Sequence, residues 1–266
     1  MISKPRPAAH VRVVRFLLKL NHRYVRNFPY FTKRLLRRLR HTVPVMMSKK
    51  SRAGSVNKVI AMTVSTNYTD LLELVIEANE GLFDHWIVVT QESDMTTRAL
   101  LERQEQVSVI FWEPKAKGRL FDKGSALLAA QTLAYRKFPN CWYLVLDSDI
   151  ALPTEFSSFR ERLPELDSRK IYGAERTDYG SYSDFQSKKN GVAYEASNGV
   201  YGYFQLYALP LKSKWSYDAS RVDIDFRDLF FWWEVLQDFS VSHFGVNTEN
   251  WQGRKPVNDF VIDSPN

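Results

Sequence analysis

The stretch Cys141-Trp142-Tyr143-Leu144-Val145-Leu146-Asp147-Ser148-Asp149-Ile150 decides the fold. A short apolar run, too brief for a helix, ends abruptly in two acids. Such a run reads as a strand buried on both faces of a sheet. Residues two apart on an extended chain point the same way, so Asp147 and Asp149 are expected to face one ligand at the strand's carboxyl end. Two carboxylates held there repel unless a cation lies between them. Mg²⁺ or Mn²⁺ is the natural partner, because hard cations take oxygen ligands and also hold substrate phosphates. The plain alternative is a solvated acidic turn. The position after the most apolar strand and before Pro153 favours the metal.

Outward from this strand the chain alternates between periods of two and 3.6. Strands are expected at Val59–Val64, His85–Thr90 and Val107–Trp112, with helices at Tyr68–Glu80, Met95–Gln106 and Lys123–Phe138. Short apolar strands separated by helices indicate an α/β fold with a mostly parallel sheet covered on both faces. Such sheets bind ligands beyond the carboxyl ends of their strands. No G-x-G-x-x-G follows the first strand and no G-x-x-x-x-G-K-[ST] occurs, which speaks against a nicotinamide dehydrogenase or a P-loop enzyme. A G-x-S-x-G elbow is absent too.

The 266 residues are 44% hydrophobic and 25% charged, which fits a globular domain and excludes collagen-like or wholly disordered chains. The single cysteine, Cys141, excludes a disulfide framework or a multi-cysteine metal site and points to a reducing, cytoplasmic setting. No run of 18 apolar residues is present, so no transmembrane helix is expected.

The net charge of +7 conceals an asymmetry. Residues 1–56 hold 15 Lys and Arg and no acid, whereas 57–266 hold the other 22 bases and all 30 acids, a net −8. Apolar residues thread the basic part: Phe31, Leu35 and Leu39 recur every fourth residue among Lys33, Arg34, Arg37, Arg38 and Arg40. This is the pattern of a basic amphipathic helix, suited to an anionic membrane surface. An Arg-rich organelle presequence, nucleic-acid binding and a solvated arm are the competing readings; nucleic acid is not the expected partner. The stretch 47–57 reads as a linker.

With these features in place, the chain resembles a GT-A-fold glycosyltransferase, similar to the family-2 type that uses nucleotide sugars. The carriers are Thr63-Val64-Ser65-Thr66-Asn67 ending the first strand, Phe121-Asp122-Lys123-Gly124-Ser125-Ala126-Leu127 opening the third helix, and Leu146-Asp147-Ser148-Asp149. Their order and spacing match over Val59–Asp149, more loosely to about Arg254. The resemblance implies a catalytic domain over 57–266, with a nucleotide-binding half at 57–150 and an acceptor-binding half at 151–266. Residues 1–56 lie outside it.

The resemblance also implies roles. Thr63, Ser65 and Asn67 would lie near a uridine-type base, with Thr90, Glu92 and Asp94 as neighbours. Lys123 would contact the diphosphate. Asp149 would hold the metal that bridges the phosphates, and Asp147 would support the metal or the ribose. His243 would be a third metal ligand, tilting preference toward Mn²⁺. Gln205, in an expected strand at Tyr201–Leu209, would meet a donor-sugar hydroxyl. Asp223 would be the catalytic base of an inverting enzyme, with Asp225 in reserve, although Val222 stands where the family has Glu. Trp251 and Arg254 would form a lid over the diphosphate. Arg176–Asp184 and Ser187–Asn198 read as loops that shape the acceptor site. The implied activity is metal-dependent transfer of a sugar from a nucleotide diphosphate, UDP favoured, to a saccharide or lipid-linked acceptor, as in polysaccharide biosynthesis. A haloacid-dehalogenase-like phosphatase and a non-enzymatic membrane- or RNA-binding adaptor are the alternatives.

Overall fold

A computed structural model describes residues 57–113, 122–194, 200–211, 222–230 and 232–245. The basic extension 1–56, most of its linker, Phe121, Trp251 and Arg254 lie outside the described residues.

The first half follows the sequence pattern closely. Strands β1 (Val59–Val64), β2 (His85–Thr90), β3 (Val107–Phe111) and β4 (Trp142–Leu146) alternate with helices α1 (Thr69–Ala78), α2 (Met95–Leu101) and α3 (Lys123–Lys137). They pair in parallel in the order β3-β2-β1-β4. The period of two shows in the packing. Val59, Ala61, Trp142 and Leu144 join Leu71, Leu72 and Val75 of α1 on one face. Ile60, Met62, Tyr143 and Val145 join Ala126, Leu127 and Ala130 of α3 on the other. The expected α/β architecture, a Rossmann-type sheet flanked by helices, is the one observed. Helix α2 stops at Leu101 instead of Gln106, because Glu102-Arg103-Gln104-Glu105-Gln106 offers no apolar side chain to bury and turns back through a Gln104 N–H to Leu101 carbonyl bond.

The second half continues the same sheet with mixed directions: β5 (Ile150–Ala151), β6 (Ile171–Tyr179), β7 (Val192–Ala193), β8 (Phe204–Tyr207) and β9 (Trp233–Phe244). The order runs β4-β8-β6-β9-β5, with β7 on the edge of β6. Strand β8 is antiparallel to β4, while β6 and β9 are parallel. Short helices α4 (Phe156–Glu161), α5 (Tyr182–Ser187) and α6 (Val222–Arg227) connect them.

Three expectations are corrected here. Arg176–Tyr179 is the end of strand β6, not a loop, and Tyr182–Ser187 is helical. Arg176 and Asp178 disguise the strand because its inward face carries buried ion pairs in place of apolar residues. The expected strand at Tyr201–Leu209 shrinks to Phe204–Tyr207, since Gly202 and Tyr203 form a turn. The resemblance also implies an aromatic-rich helix after Asp223, but the helix there lasts only to Arg227 and Trp233 already begins β9.

Candidate functional site

Asp147 and Asp149 occupy the turn between β4 and β5, where the Asp147 N–H donates to the Tyr203 carbonyl and the Asp149 carbonyl accepts from the Phe244 N–H. The extended geometry expected for Asp-Ser-Asp is thus replaced by a turn, and the two carboxylates acquire different partners. Asp147 Oδ1 lies 2.6 Å from Lys123 Nζ. Asp149 Oδ2 lies 3.6 Å from His243 Nε2.

Lys123 is the first residue of α3, whose N-terminus Asp122 caps by accepting from the Ser125 N–H. The lysine also reaches Asp223 Oδ1 at 3.4 Å, so one ammonium bridges β4's end and the first turn of α6. Burial alone would discharge it, but Asp147 and Asp223 raise its pKa above the ordinary value. Asp147 is held above the usual carboxylate range, chiefly by burial and then by Asp223 and Asp149, against the pull of Lys123. A third of its side chain, 33%, still reaches solvent, so it is the member of the group open to a ligand.

Asp223 is held by two features. Gln205, fully buried on β8, donates from Nε2 to the Asp223 carbonyl at 3.0 Å. Gly202 leaves the space that the carboxylate fills: a Cβ at residue 202 would stand 1.9 Å from Asp223 Cγ. Asp223 Oδ1 is buried with no hydrogen-bond donor aligned on it. Asp225, half-buried, points to the opposite side of the same turn, since two helical residues span about 200°.

His243, next to the last residue of β9, lies between two strands. Its ladder partners are Ile150 on β5 and Asp178 on β6, which places Asp149 on one side of the ring and Asp178 on the other. Asp178 Oδ1 stands 3.2 Å from His243 Nδ1, and Arg176 Nε stands 2.7 Å from the same oxygen. Burial opposes the imidazolium, but the two flanking carboxylates push the His243 pKa up to about 9. Burial likewise raises Asp149, yet His243, and then Lys123, outweigh it and hold its carboxyl below the ordinary value. Four acids thus stand against Lys123, Arg176 and a protonated His243, leaving a small negative excess at the carboxyl end of β4.

The residues expected around a base are buried or held by nearby groups to different degrees. Thr63 is buried and its Oγ1 accepts from Trp86 Nε1 at 2.9 Å. Ser65 is fully buried, with an Oγ that has no hydrogen-bond partner. Asn67 takes a left-handed conformation, φ 59°, and donates its N–H to Asp94 Oδ2. Asp94 Oδ1 caps α2 by accepting from the Thr97 N–H and also accepts from Thr96 Oγ1. Asp94 is therefore a clasp between the loops after β1 and β2. The physical reason is local: a buried carboxylate beside a helix N-terminus is stabilised by those N–H donors. Gln205, fully buried and bound to the Asp223 carbonyl, is an anchor for α6 and not an exposed hydroxyl partner.

The structure thus gathers Lys123, Asp147, Asp149, Asp223 and His243 from the sequence-derived set. It adds Arg176 and Asp178, which lie on strand β6 in place of the expected loop. Their only signal was an Arg-x-Asp spacing that puts both side chains on one face of a strand.

A divalent ion can be tested against this donor set. Among the described residues no three His, Cys, Asp or Glu side chains are arranged as a metal-holding group. Asp149 Oδ2 and His243 Nε2 face each other, and the nitrogen would become a metal donor on losing its proton. Two protein ligands would leave an ion's remaining positions to water and substrate oxygens.

No family model matches the chain, and no curated protein matches it in sequence. Among solved structures it is similar to the 4-diphosphocytidyl-2C-methyl-D-erythritol synthase from Anaerococcus prevotii DSM 20548, with a TM-score of 0.41 and 14% identity, covering 68% of this chain and 87% of that one. A likeness of that size says nothing of chemistry.

Proposed function

We propose that the chain is a glycosyltransferase that moves a sugar from a nucleotide diphosphate donor, a UDP-sugar favoured, to a hydroxyl of a saccharide or lipid-linked acceptor, with inversion. The observation that carries this reading is the convergence at the carboxyl end of β4: Lys123 bridging Asp147 and Asp223, beside the facing pair Asp149 and His243.

Asp149 and His243 would hold Mn²⁺ or Mg²⁺. When bound, the ion supplies electrostatic stabilisation to the departing diphosphate. Lys123 adds a fixed positive charge within reach of the same phosphates. Asp223 would take the proton of the acceptor hydroxyl as its oxygen bonds to the anomeric carbon, and the bond from that carbon to the diphosphate oxygen breaks with its electron pair. Gly202 and Gln205 hold Asp223 where it can do so. Residues 1–56 would keep the enzyme on an anionic membrane surface, where lipid-linked acceptors reside.

The test is thermal unfolding with UDP and Mn²⁺. Ligand at 100 times its Kd stabilises a binding-competent protein by about 2.7 kcal/mol, and Asp149→Ala should remove that gain. No stabilisation by any nucleoside diphosphate, with or without Mn²⁺, would sink the reading. A panel of nucleotide sugars, assayed for metal-dependent release of the nucleotide, identifies the donor.

A further inference from the structure

Three tyrosine rings stand together beside the acid cluster. Two belong to the stretch Tyr201-Gly202-Tyr203, which two of the acids hold. The Tyr203 carbonyl accepts from the Asp147 N–H at 3.3 Å. Gly202 packs so closely on the Asp223 carboxylate that a Cβ there would lie 1.9 Å from Asp223 Cγ. The third ring, Tyr194, directly follows β7, and its N–H donates to the Arg176 carbonyl at 2.9 Å.

The rings form a corner. Tyr201 and Tyr203 are stacked, with centroids 6.3 Å apart and planes inclined by 20°. Tyr194 stands across both, at 90° to Tyr201 and 86° to Tyr203, with centroids 6.4 and 6.3 Å away. Arg176 braces the corner: its guanidinium lies 3.7 Å from the Tyr194 centroid and 5.0 Å from that of Tyr203, and its Nη2 donates to Asp178 Oδ2 at 3.0 Å. Tyr203 is buried and its hydroxyl donates to the Ala174 carbonyl at 2.7 Å. Tyr194 is 39% exposed, and Tyr201 is half-buried.

A single apolar residue on a surface needs no explanation. Braced rings that still reach solvent, beside the carboxylate read as the base, do need one. Because their orientation is already fixed, little conformational freedom is lost when a ligand lies on them. A pyranose ring has the matching chemistry: its C–H face lies on an aromatic face while its hydroxyls reach polar groups at the rim. Among the described residues the cation that touches these rings, Arg176, is bound to Asp178 and only 14% exposed, so the corner offers rings and hydroxyls in place of free charge. A lipid phosphate is recognised by such charge.

We propose that Tyr194 and Tyr201 form the acceptor subsite and stack a pyranose ring whose hydroxyl is presented to Asp223, so that the group acted on is a saccharide and not a lipid phosphate. This rests on the glycosyltransferase reading with Asp223 as its base, and it calls on no metal ion.

The experiment is saturation-transfer-difference NMR on the full chain with UDP present. The probes are the methyl glycosides of glucose, galactose, mannose and N-acetylglucosamine, with dodecyl phosphate as the lipid-phosphate probe. At least one glycoside should bind, with saturation strongest on the C–H protons of one ring face. Tyr194→Ala and Tyr201→Ala should each weaken its binding about five- to tenfold, the loss of one aromatic contact, while Tyr194→Phe, which keeps the ring, should stay within about twofold of the unaltered chain. Should Tyr201→Ala fail to fold, the two substitutions at the exposed Tyr194 decide the matter. Unchanged affinity in Tyr194→Ala, no binding of any glycoside, or binding of dodecyl phosphate alone overturns the inference. Thermal unfolding with UDP separates this failure from that of the wider reading. Stabilisation by UDP, with glycoside affinity unchanged in Tyr194→Ala, overturns the acceptor subsite and nothing else. Absence of stabilisation by any nucleoside diphosphate overturns the transferase reading and the acceptor role with it.

Discussion

Gly202 shows how much a single residue decides at this site. The absence of a side chain there is what lets the Asp223 carboxylate lie beside Lys123, since an added Cβ would overlap Asp223 Oδ2 at 1.9 Å. The Asp223 backbone is held, with its carbonyl tied to Gln205, so the carboxylate could yield only by turning about its own side-chain bonds. Gly202→Ala should therefore destabilise the protein by about 1–3 kcal/mol through overpacking. The clash partner is known, so the cause can be isolated. In an Asp223→Ala background the same substitution should cost far less, giving a coupling of about 1 kcal/mol or more in a double-mutant cycle of urea midpoints. Additivity within about 0.5 kcal/mol would show that Gly202 serves something other than Asp223. No reading of the sequence could weigh this glycine, because its reason lies 21 residues away in the chain.

At the scale of elements, the turn that carries Asp147 and Asp149 is held from outside by Asn79, the residue that ends α1. Asn79 is 2% exposed; its Nδ2 donates to the Ile150 carbonyl at 3.1 Å and its Oδ1 accepts from the Leu152 N–H at 2.7 Å. Strand β5 has only two residues, so these bonds supply much of what its backbone needs. Asn79→Ala strands two buried backbone groups. The expected cost is about 2–4 kcal/mol, read as a lowered urea midpoint with an unchanged slope. A loss below about 0.5 kcal/mol would mean that β9 alone fixes β5. The first-half elements were legible because apolar periodicity marks them: β1 and β2 have the bounds expected. The second half was less so. Strand β6 spends its inward positions on Arg176 and Asp178, and a buried ion pair carries no hydrophobic signal.

For the whole molecule, charge separates the basic residues 1–56 from the net-negative remainder. If the extension serves the membrane, the full chain should sediment with vesicles containing an anionic lipid, and a chain beginning at residue 57 should not. Binding should fall as salt rises, since surface charges are screened within about 10 Å at 0.1 M. Equal sedimentation of the two chains would remove that role. Among the described residues no helix is long and apolar enough to cross a membrane.

What the amino-acid order determined unaided was the period of its elements and the place where acids interrupt them. Local steric and hydrophobic preferences act over a few residues, so β4, its two terminal acids and the lysine opening α3 could be read directly. Which acid meets which base was decided only by folding. Lys123, Asp147 and Asp223 come from three elements, and His243 reaches Asp149 and Asp178 through the register of a sheet, a long-range property that no local pattern encodes.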